Sequence, residues 1–323
     1  MKAILCPGQG AQTPGYLQQL PDHQAVRLTL AEASQTLGRD IFLLDSAAAL
    51  ESTVAVQLTL VTASVAAARA LAAEGIEPDF AAGLSVGAFA AAVICDAIDF
   101  ADALRLVELR AQLMEQAYPS GYGLAAIVGL NELQITRLLA QIEAPVYLAN
   151  LNAERQIVVA GSDAGLAALI RLALEHGARR AERLAVSVPS HCELLAQASE
   201  TLSAATAQVT FRAPRIPYLA NRTARAAHTA EPIRDDLATN LRYPVRWNDS
   251  VRLMYEMGVR VFIETPPGQV LSGLVNDSFP DAVAVTLSTQ ALDRVVATVR
   301  ARAANLIRPR NQIAIGALIA GWN

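Results

Sequence analysis

The sequence predicts an α/β fold: a parallel sheet covered by helices on both faces and interrupted by a smaller inserted module. Three observations predict it. Through the first 117 residues short apolar runs alternate with amphipathic or alanine-rich runs, the pattern of strands and helices in alternation. Between residues 123 and 188 the pattern changes to an order of βαββαβ. The 323 residues are 53% hydrophobic but only 5% aromatic. Such a core is built from alanine, leucine and valine, which suits helices packed closely on a buried sheet.

KAILC is the first strand, stopped by the turn PGQG. Residues 26–37 and 57–74 read as helices, the second almost entirely small and apolar and therefore buried. DFAAG (79–83) is a short strand, and residues 86–95 and 101–117 read as helices, the latter with a clear apolar stripe. In the middle region Leu124–Val128, Val146–Ala149, Ile157–Ala160 and Arg183–Val188 read as strands. Residues 131–142 and 163–176 read as helices, the second ended by Gly177. This order is that of a ferredoxin-like module. The predicted organisation is a discontinuous large domain (1–122 and 189–300), a ferredoxin-like small domain (123–188) and a tail (301–323). After Pro189 the large domain resumes with helices and with strands such as IPYLAN and VRVFIET.

A formal net charge of −4, with no basic run, gives no footprint for nucleic acid. The most apolar stretch, 57–73, carries Thr59, Thr62, Ser64 and Arg69, and the apolar run Ile313–Trp322 is too short to span a bilayer. Gly8 and Gln9 arrive before a signal-peptide core could form. The three cysteines, Cys6, Cys95 and Cys192, are scattered with no CxxC pair, so neither a disulfide framework nor a cysteine metal site is predicted. No HExxH motif or His/Cys cluster is present either. The expectation is a cytoplasmic protein without membrane, metal or cofactor.

Ser85 lies in GLSVG, directly between a predicted strand and a predicted helix. Glycine two residues to either side fits a nucleophile elbow, in which a sharp turn strains the serine and aims its hydroxyl at the N-terminus of the next helix. This gives the core a hydrolase-like character. An ordinary Gly/Ser turn would read the same, since GxSxG alone is frequent by chance.

A serine nucleophile needs a base, and the chain has four histidines. His23 and His228 lie in polar segments and His176 at a helix end, where histidine commonly caps carbonyls. His191, in SVPSHCELL, follows a strand and a proline turn at the start of a helix. A lone histidine is most often structural, but elimination favours this one. Cys192 is a rival nucleophile by type, and its adjacency to His191 points it elsewhere, into packing.

In PGQGAQ (7–12), Gly8 and Gly10 allow a backbone to approach a ligand and Gln9 offers amide donors; no GK[ST] follows, so it is not a phosphate loop. Arg110 has Leu106, Val107, Leu113 and Met114 at helical spacing, which places it on the apolar stripe. Arg105, flanked by Asp102 and Glu108, marks the wet face. A buried guanidinium requires an anion. Either an internal salt bridge or a clamp for a substrate carboxylate would supply it.

Taken together, CPGQGAQ, GLSVGAFAA, VELRAQLMEQA, SVPSHCELL, NLRYPVRW and ETPPGQVLSGL resemble, in order and spacing, the malonyl-CoA:acyl-carrier-protein transacylases, over roughly residues 3–290. The resemblance implies an α/β core with a ferredoxin-like insert. It implies Ser85 as nucleophile and His191 as its partner, with a backbone carbonyl at Asn240 orienting the histidine in place of an acid. It matches Gln9 and the Val86 N–H to the oxyanion hole, and Arg110 to the residue that pairs with the malonyl carboxylate. The implied partners are malonyl-CoA and an acyl carrier protein, and the implied reaction is ping-pong acyl transfer.

Leu84 departs from the histidine that most of this family carries before the serine. Together with MEQAYPSGYG (114–123), it resembles the malonyl-transfer subunit of bacterial malonate decarboxylase. That branch implies a carrier bearing phosphoribosyl-dephospho-CoA and association with other decarboxylase subunits. The alternatives are a transacylase of fatty-acid or polyketide synthesis, a serine thioesterase or esterase, which would have no need of a buried Arg110, and a non-catalytic carrier-binding subunit, which would leave Ser85 and His191 together unexplained.

Overall fold

The computed structural model describes residues 1–118 and 120–307, residues 303–307 by backbone only. The chain runs through β1 (Lys2–Cys6), α1 (Gln24–Leu37), α2 (Thr53–Ala73), β2 (Phe80–Gly83), α3 (Gly87–Ile94) and α4 (Phe100–Ala117). The middle segment is β3 (Tyr122–Val128), α5 (Glu132–Leu139), β4 (Val146–Ala153), β5 (Gln156–Ser162), α6 (Asp163–Glu175) and β6 (Arg180–Arg183). The remainder is α7 (Ala196–Thr206), β7 (Tyr218–Leu219), β8 (Ala226–Ala227), α8 (Ala230–Thr239), α9 (Trp247–Glu256), β9 (Val261–Glu264), α10 (Val270–Ser278), β10 (Val283–Thr286) and α11 (Leu292–Ile307).

Two sheets result. The larger has the strand order β10-β9-β1-β2-β7-β8, with every neighbouring pair parallel except β7 and β8. Because successive side chains of a strand point to opposite faces, β1 feeds two cores. Ile4 and Cys6 pack with the helices α1–α4, while Ala3 and Leu5 pack on the other face with Phe80, Trp247, Met254 and Phe262. The smaller sheet, β4-β5-β3-β6, is antiparallel throughout. One of its faces buries Ala125, Ile127, Ile157 and Val159 against Leu166 and Leu169 of α6, and the other turns Leu124, Val158 and Ala160 toward Cys192 of the larger unit. Its edge strand β4 is tied back to that unit, with Leu151 N–H donating to the Val245 carbonyl and Val245 N–H to that of Ala149, both at 2.8 Å.

The α/β fold and the βαββαβ order agree with the sequence. Helix α2 covers the buried helix predicted over 57–74, while two other elements do not sit where the pattern put them. The last strand of the small module is Arg180–Arg183 rather than 183–188. Arg180, Glu182 and Arg183 form a charged edge, as expected of a strand protected from further pairing, whereas beyond Leu184, whose N–H still donates to the Leu124 carbonyl, the chain leaves the sheet, and Leu184, Ala185, Val186 and Val188 line a cleft. Helix α2 is long and apolar enough by length and composition to cross a membrane, yet it is a core helix with Leu58, Leu60, Val61 and Ala63 fully buried. The hydroxyls of Thr59 and Thr62 donate to the carbonyls of Ala55 and Leu58, so these two hydroxyls are satisfied within the helix. Helix α11 continues past residue 300, where the tail was expected to begin; the apolar run 313–322 lies outside the described residues.

Candidate active site

The carboxyl ends of β1 and β2 open toward the small sheet, the position at which ligands bind in open parallel sheets. Between them lies a cavity of about 470 Å³, lined by Gln9, Ser85, His191, Asn150, Val186 and Val270 among others.

Ser85 follows β2 and precedes α3. Its φ of 56° is left-handed, a conformation that costs an L-residue roughly 1–2 kcal/mol, so the turn is a strained elbow. A Cβ on Gly83 would collide with the backbone of Gly87 and Ala88, and one on Gly87 with the carbonyls of Cys6 and Pro7. The two flanking glycines are therefore required by space. Gly8 serves the same elbow, since its Cβ would fall 2.8 Å from the Leu84 carbonyl oxygen; it allows backbone to approach backbone and not only a ligand.

His191 also has a left-handed backbone, with φ 64°, and is buried. Its Nδ1 lies 2.5 Å from the carbonyl oxygen of Asn240, and its Nε2 lies 2.7 Å from Ser85 Oγ. A carbonyl only accepts, so Nδ1 carries the proton and Nε2 is left to accept from the serine hydroxyl. Burial, reinforced by the neighbouring Arg110 charge, pushes the imidazole pKa down to about 3, against the opposing hydrogen bond to Asn240. The ring is a neutral base. The remaining histidines stand where the sequence put them: His23 caps α1 through Nδ1, His176 meets the Leu172 carbonyl at the end of α6, and His228 is exposed. Cys192 packs behind the site, its thiol donating to the Pro189 carbonyl at 3.2 Å. Burial pushes that thiol up to about 12, which removes it as a nucleophile at neutral pH.

Arg110, on α4, is fully buried. Its Nη1 donates to Gln57 Oε1 at 2.6 Å, its Nη2 to Ser85 Oγ at 3.1 Å and its Nε to Asn240 Oδ1 at 3.4 Å. Every oxygen partner is neutral, and among the described residues no carboxylate forms an ion pair with it. Burial alone lowers its pKa, to about 9, so the guanidinium remains cationic at neutral pH. Among the described residues, the internal salt bridge that the sequence left open is absent. By contrast Arg105 is exposed and paired with Asp102 at 2.8 Å, on the wet face.

Gln9 and Val86 line the same cavity as Ser85. Val86 is the N-cap of α3, and among the described residues the backbone N–H groups of Gln9 and Val86 donate to no protein acceptor. All six sequence-predicted residues are thus brought together. Sequence reasoning missed Gln57, Asn221 and Asp236. A single glutamine in the apolar run TVAVQLTLV is the signal that would have found Gln57, since a buried amide needs a partner.

The chain matches the family model of the acyl transferase domain over residues 4–291. It is similar to the malonyl CoA-acyl carrier protein transacylase of Escherichia coli (strain K12), 38% identical over 302 residues, which cover 90% of this chain and 95% of the relative. Its fold is similar to the crystal structure of the acyl-carrier-protein S-malonyltransferase from Burkholderia pseudomallei 1710b, with a TM-score of 0.87 and 37% identity, covering 92% of this chain and 99% of that one. It is also similar to the malonyl-transacylase in the holo complex PlMCAT:AntF, in which a type II PKS acyl-carrier protein is bound. There the TM-score is 0.86 and the identity 34%, with 92% and 99% covered.

Proposed function

The chain belongs to the acyl transferase domain family, and from that premise we propose that it transfers a malonyl group from malonyl-CoA to the prosthetic-group thiol of an acyl carrier protein, through a malonyl ester on Ser85. The observation that carries this reading is the buried, carboxylate-free guanidinium of Arg110 at 3.1 Å from the Ser85 hydroxyl. A desolvated cation with only neutral partners is a receptor for an anion, and malonate presents a free carboxylate close to its thioester carbonyl. A serine thioesterase has no use for that cation.

In this mechanism His191 Nε2 takes the Ser85 proton as Oγ attacks the thioester carbonyl. The N–H groups of Gln9 and Val86 receive the oxyanion. The C–S bond breaks and the CoA thiolate takes the proton back from His191. The carrier thiol then enters, His191 accepts its proton, the thiolate attacks the malonyl ester, and Ser85 leaves reprotonated. Asn240 holds the imidazole tautomer through its carbonyl, so no acidic third member is needed. Residues 1–122 and 189–300 carry the nucleophile, and residues 123–188 roof the cleft. The setting proposed is cytoplasmic.

The relatives support a carrier of fatty-acid or polyketide synthesis. The decarboxylase branch drawn from the sequence rests on Leu84 and segment 114–123 alone, and that resemblance favours it as a second reading, with a phosphoribosyl-dephospho-CoA carrier and other decarboxylase subunits as partners.

Arg110→Ala tests the function. Charge-assisted hydrogen bonds contribute roughly 1.5–3 kcal/mol, so kcat/KM for malonyl-CoA is expected to fall at least tenfold to a hundredfold, while that for acetyl-CoA falls less or rises. Equal losses for the two acyl groups would make Arg110 a structural residue and remove the basis for malonyl selectivity.

A further inference from the structure

Ser85 and His191 do not account for how a strained elbow is held in one conformation, and a second set of buried polar groups stands directly behind it. Asn221, just after β7, is buried at 3% exposure. Its Oδ1 accepts from the Ser85 N–H at 2.9 Å, and its Nδ2 donates to the Gly83 carbonyl at 2.7 Å. One carboxamide thus spans the turn from residue 83 to residue 85. The main chain of Asn221 is fixed as well. Its N–H donates to Asp236 Oδ2 at 2.9 Å, and its carbonyl accepts from the Arg246 N–H at 2.8 Å.

Asp236, on α8, is equally buried. Its Oδ2 also accepts from the Tyr218 hydroxyl at 2.6 Å, and its Oδ1 accepts from the Arg222 N–H at 3.0 Å. Every polar group of Asn221 is therefore paired, and the carboxylate that orients it is itself held by three donors. A non-glycine residue at positive φ persists only where its surroundings over-determine it. Here the surroundings are identifiable.

We propose that Asn221, oriented by Asp236 and Tyr218, is a positioning residue that locks the Ser85 elbow so that Oγ meets His191 Nε2. The assignment rests on Ser85 being the nucleophile. Asn221 touches neither Oγ nor the imidazole; it acts on the backbone of residues 83–85. A misplacement of about 1 Å at a reacting group can lower a rate by about a hundredfold. The expected signature is therefore a loss in the rate of serine attack rather than in substrate binding.

Asn221→Asp keeps the side-chain shape and an acceptor for the Ser85 N–H but sets an oxygen against the Gly83 carbonyl. Tyr218→Phe removes only the hydroxyl that orients Asp236. Wild type and both variants are incubated with an alkyl fluorophosphonate, and Ser85 labelling is followed by intact mass. In this step the Oγ–P bond forms, fluoride leaves and the hydroxyl proton passes to His191. This probe needs neither malonyl-CoA nor a carrier. A wild-type chain that is not labelled at Ser85 refutes the nucleophile assignment itself, and the positioning role with it.

With wild type labelled, Asn221→Asp is expected to lower the limiting labelling rate, and kcat for malonyl transfer, by about tenfold to a hundredfold. KI and KM should stay within twofold, at an unchanged circular dichroism spectrum. Tyr218→Phe is expected to lower the same two rates by about threefold to tenfold in the same pattern. A folded Asn221→Asp with wild-type labelling rate overturns the proposal. If that variant does not fold, Tyr218→Phe decides: wild-type rates, or a loss confined to KM and KI, overturn it.

Discussion

The protonation state of His191 follows from its surroundings and sets a measurable pH dependence. In an unfolded chain the imidazole titrates at about 6.5; in the folded protein burial, with the Arg110 charge, brings it to about 3. The folded pKa is depressed, so as pH falls below about 6.5 the unfolded chain takes up a proton that the folded chain refuses. The contribution of His191 to stability is thus full above 6.5 and is lost progressively as pH falls toward 3. The melting temperature of the wild type is expected to fall more steeply between about pH 7 and pH 4.5 than that of His191→Gln, which has no group to titrate there. Parallel curves would show that the imidazole is not held neutral. Over the same interval the rate of serine acylation should show no inflection near 6.5, because the base is already free.

Among the elements, the strand–elbow–helix unit of β2, Ser85 and α3 is the most constrained by space. Gly87→Ala drives a methyl into the Cys6 and Pro7 carbonyls, and backbone on both sides cannot rotate away. Overpacking of this kind costs about 1–3 kcal/mol or more. Gly87→Ala is therefore expected to lower the melting temperature by several degrees. Gly273→Ala, where a Cβ in α10 would meet nothing within 4 Å, is expected to leave it unchanged or raise it, because alanine favours a helix. A Gly87→Ala protein as stable as the wild type would contradict the close approach of α3 to β1.

This unit was legible in the sequence because its chemistry is local: a strand, a G-x-S-x-G spacing and an apolar helix follow one another within residues 79–95. Arg110 was legible through helical periodicity alone, as was its burial. Whether its partner was an internal acid or a ligand was not, because Gln57, Asn240 and Ser85 come from three other segments. Asn221 and Asp236 were invisible for the same reason. The run IPYLAN reads as a strand, and nothing local says that its last residue reaches the backbone of Ser85. The misplaced end of the small module has a different cause: Leu184, Val186 and Val188 look like the inward side of a buried strand, whereas they line the cavity and only Val188 is fully buried.

On the scale of the whole molecule, the reaction needs a cleft that admits first a CoA thioester and then a carrier arm. The cavity between the larger sheet and the small module, with Val270 half exposed at its rim, is the cleft proposed for it. The reacting thiol ends in the same pantetheine unit in either carrier, so discrimination between carriers comes from surfaces around the mouth, which set encounter rate and register. Malonyl transfer to a purified holo-carrier of fatty-acid synthesis and to a phosphoribosyl-dephospho-CoA carrier, side by side at one salt concentration, is expected to give the higher kcat/KM with the former. A preference for the latter would restore the decarboxylase branch that Leu84 suggested, without touching the chemistry at Ser85.

That chemistry is the centre of the account, and the most direct test is covalent. The protein is incubated with malonyl-CoA in the absence of any carrier, quenched in acid, and analysed by intact and peptide mass spectrometry. One malonyl group per chain, carried by the peptide that contains Ser85 and missing from Ser85→Ala, is the predicted result. A malonyl group on Cys192 instead, or transfer to a carrier that proceeds in Ser85→Ala at the wild-type rate, would contradict it.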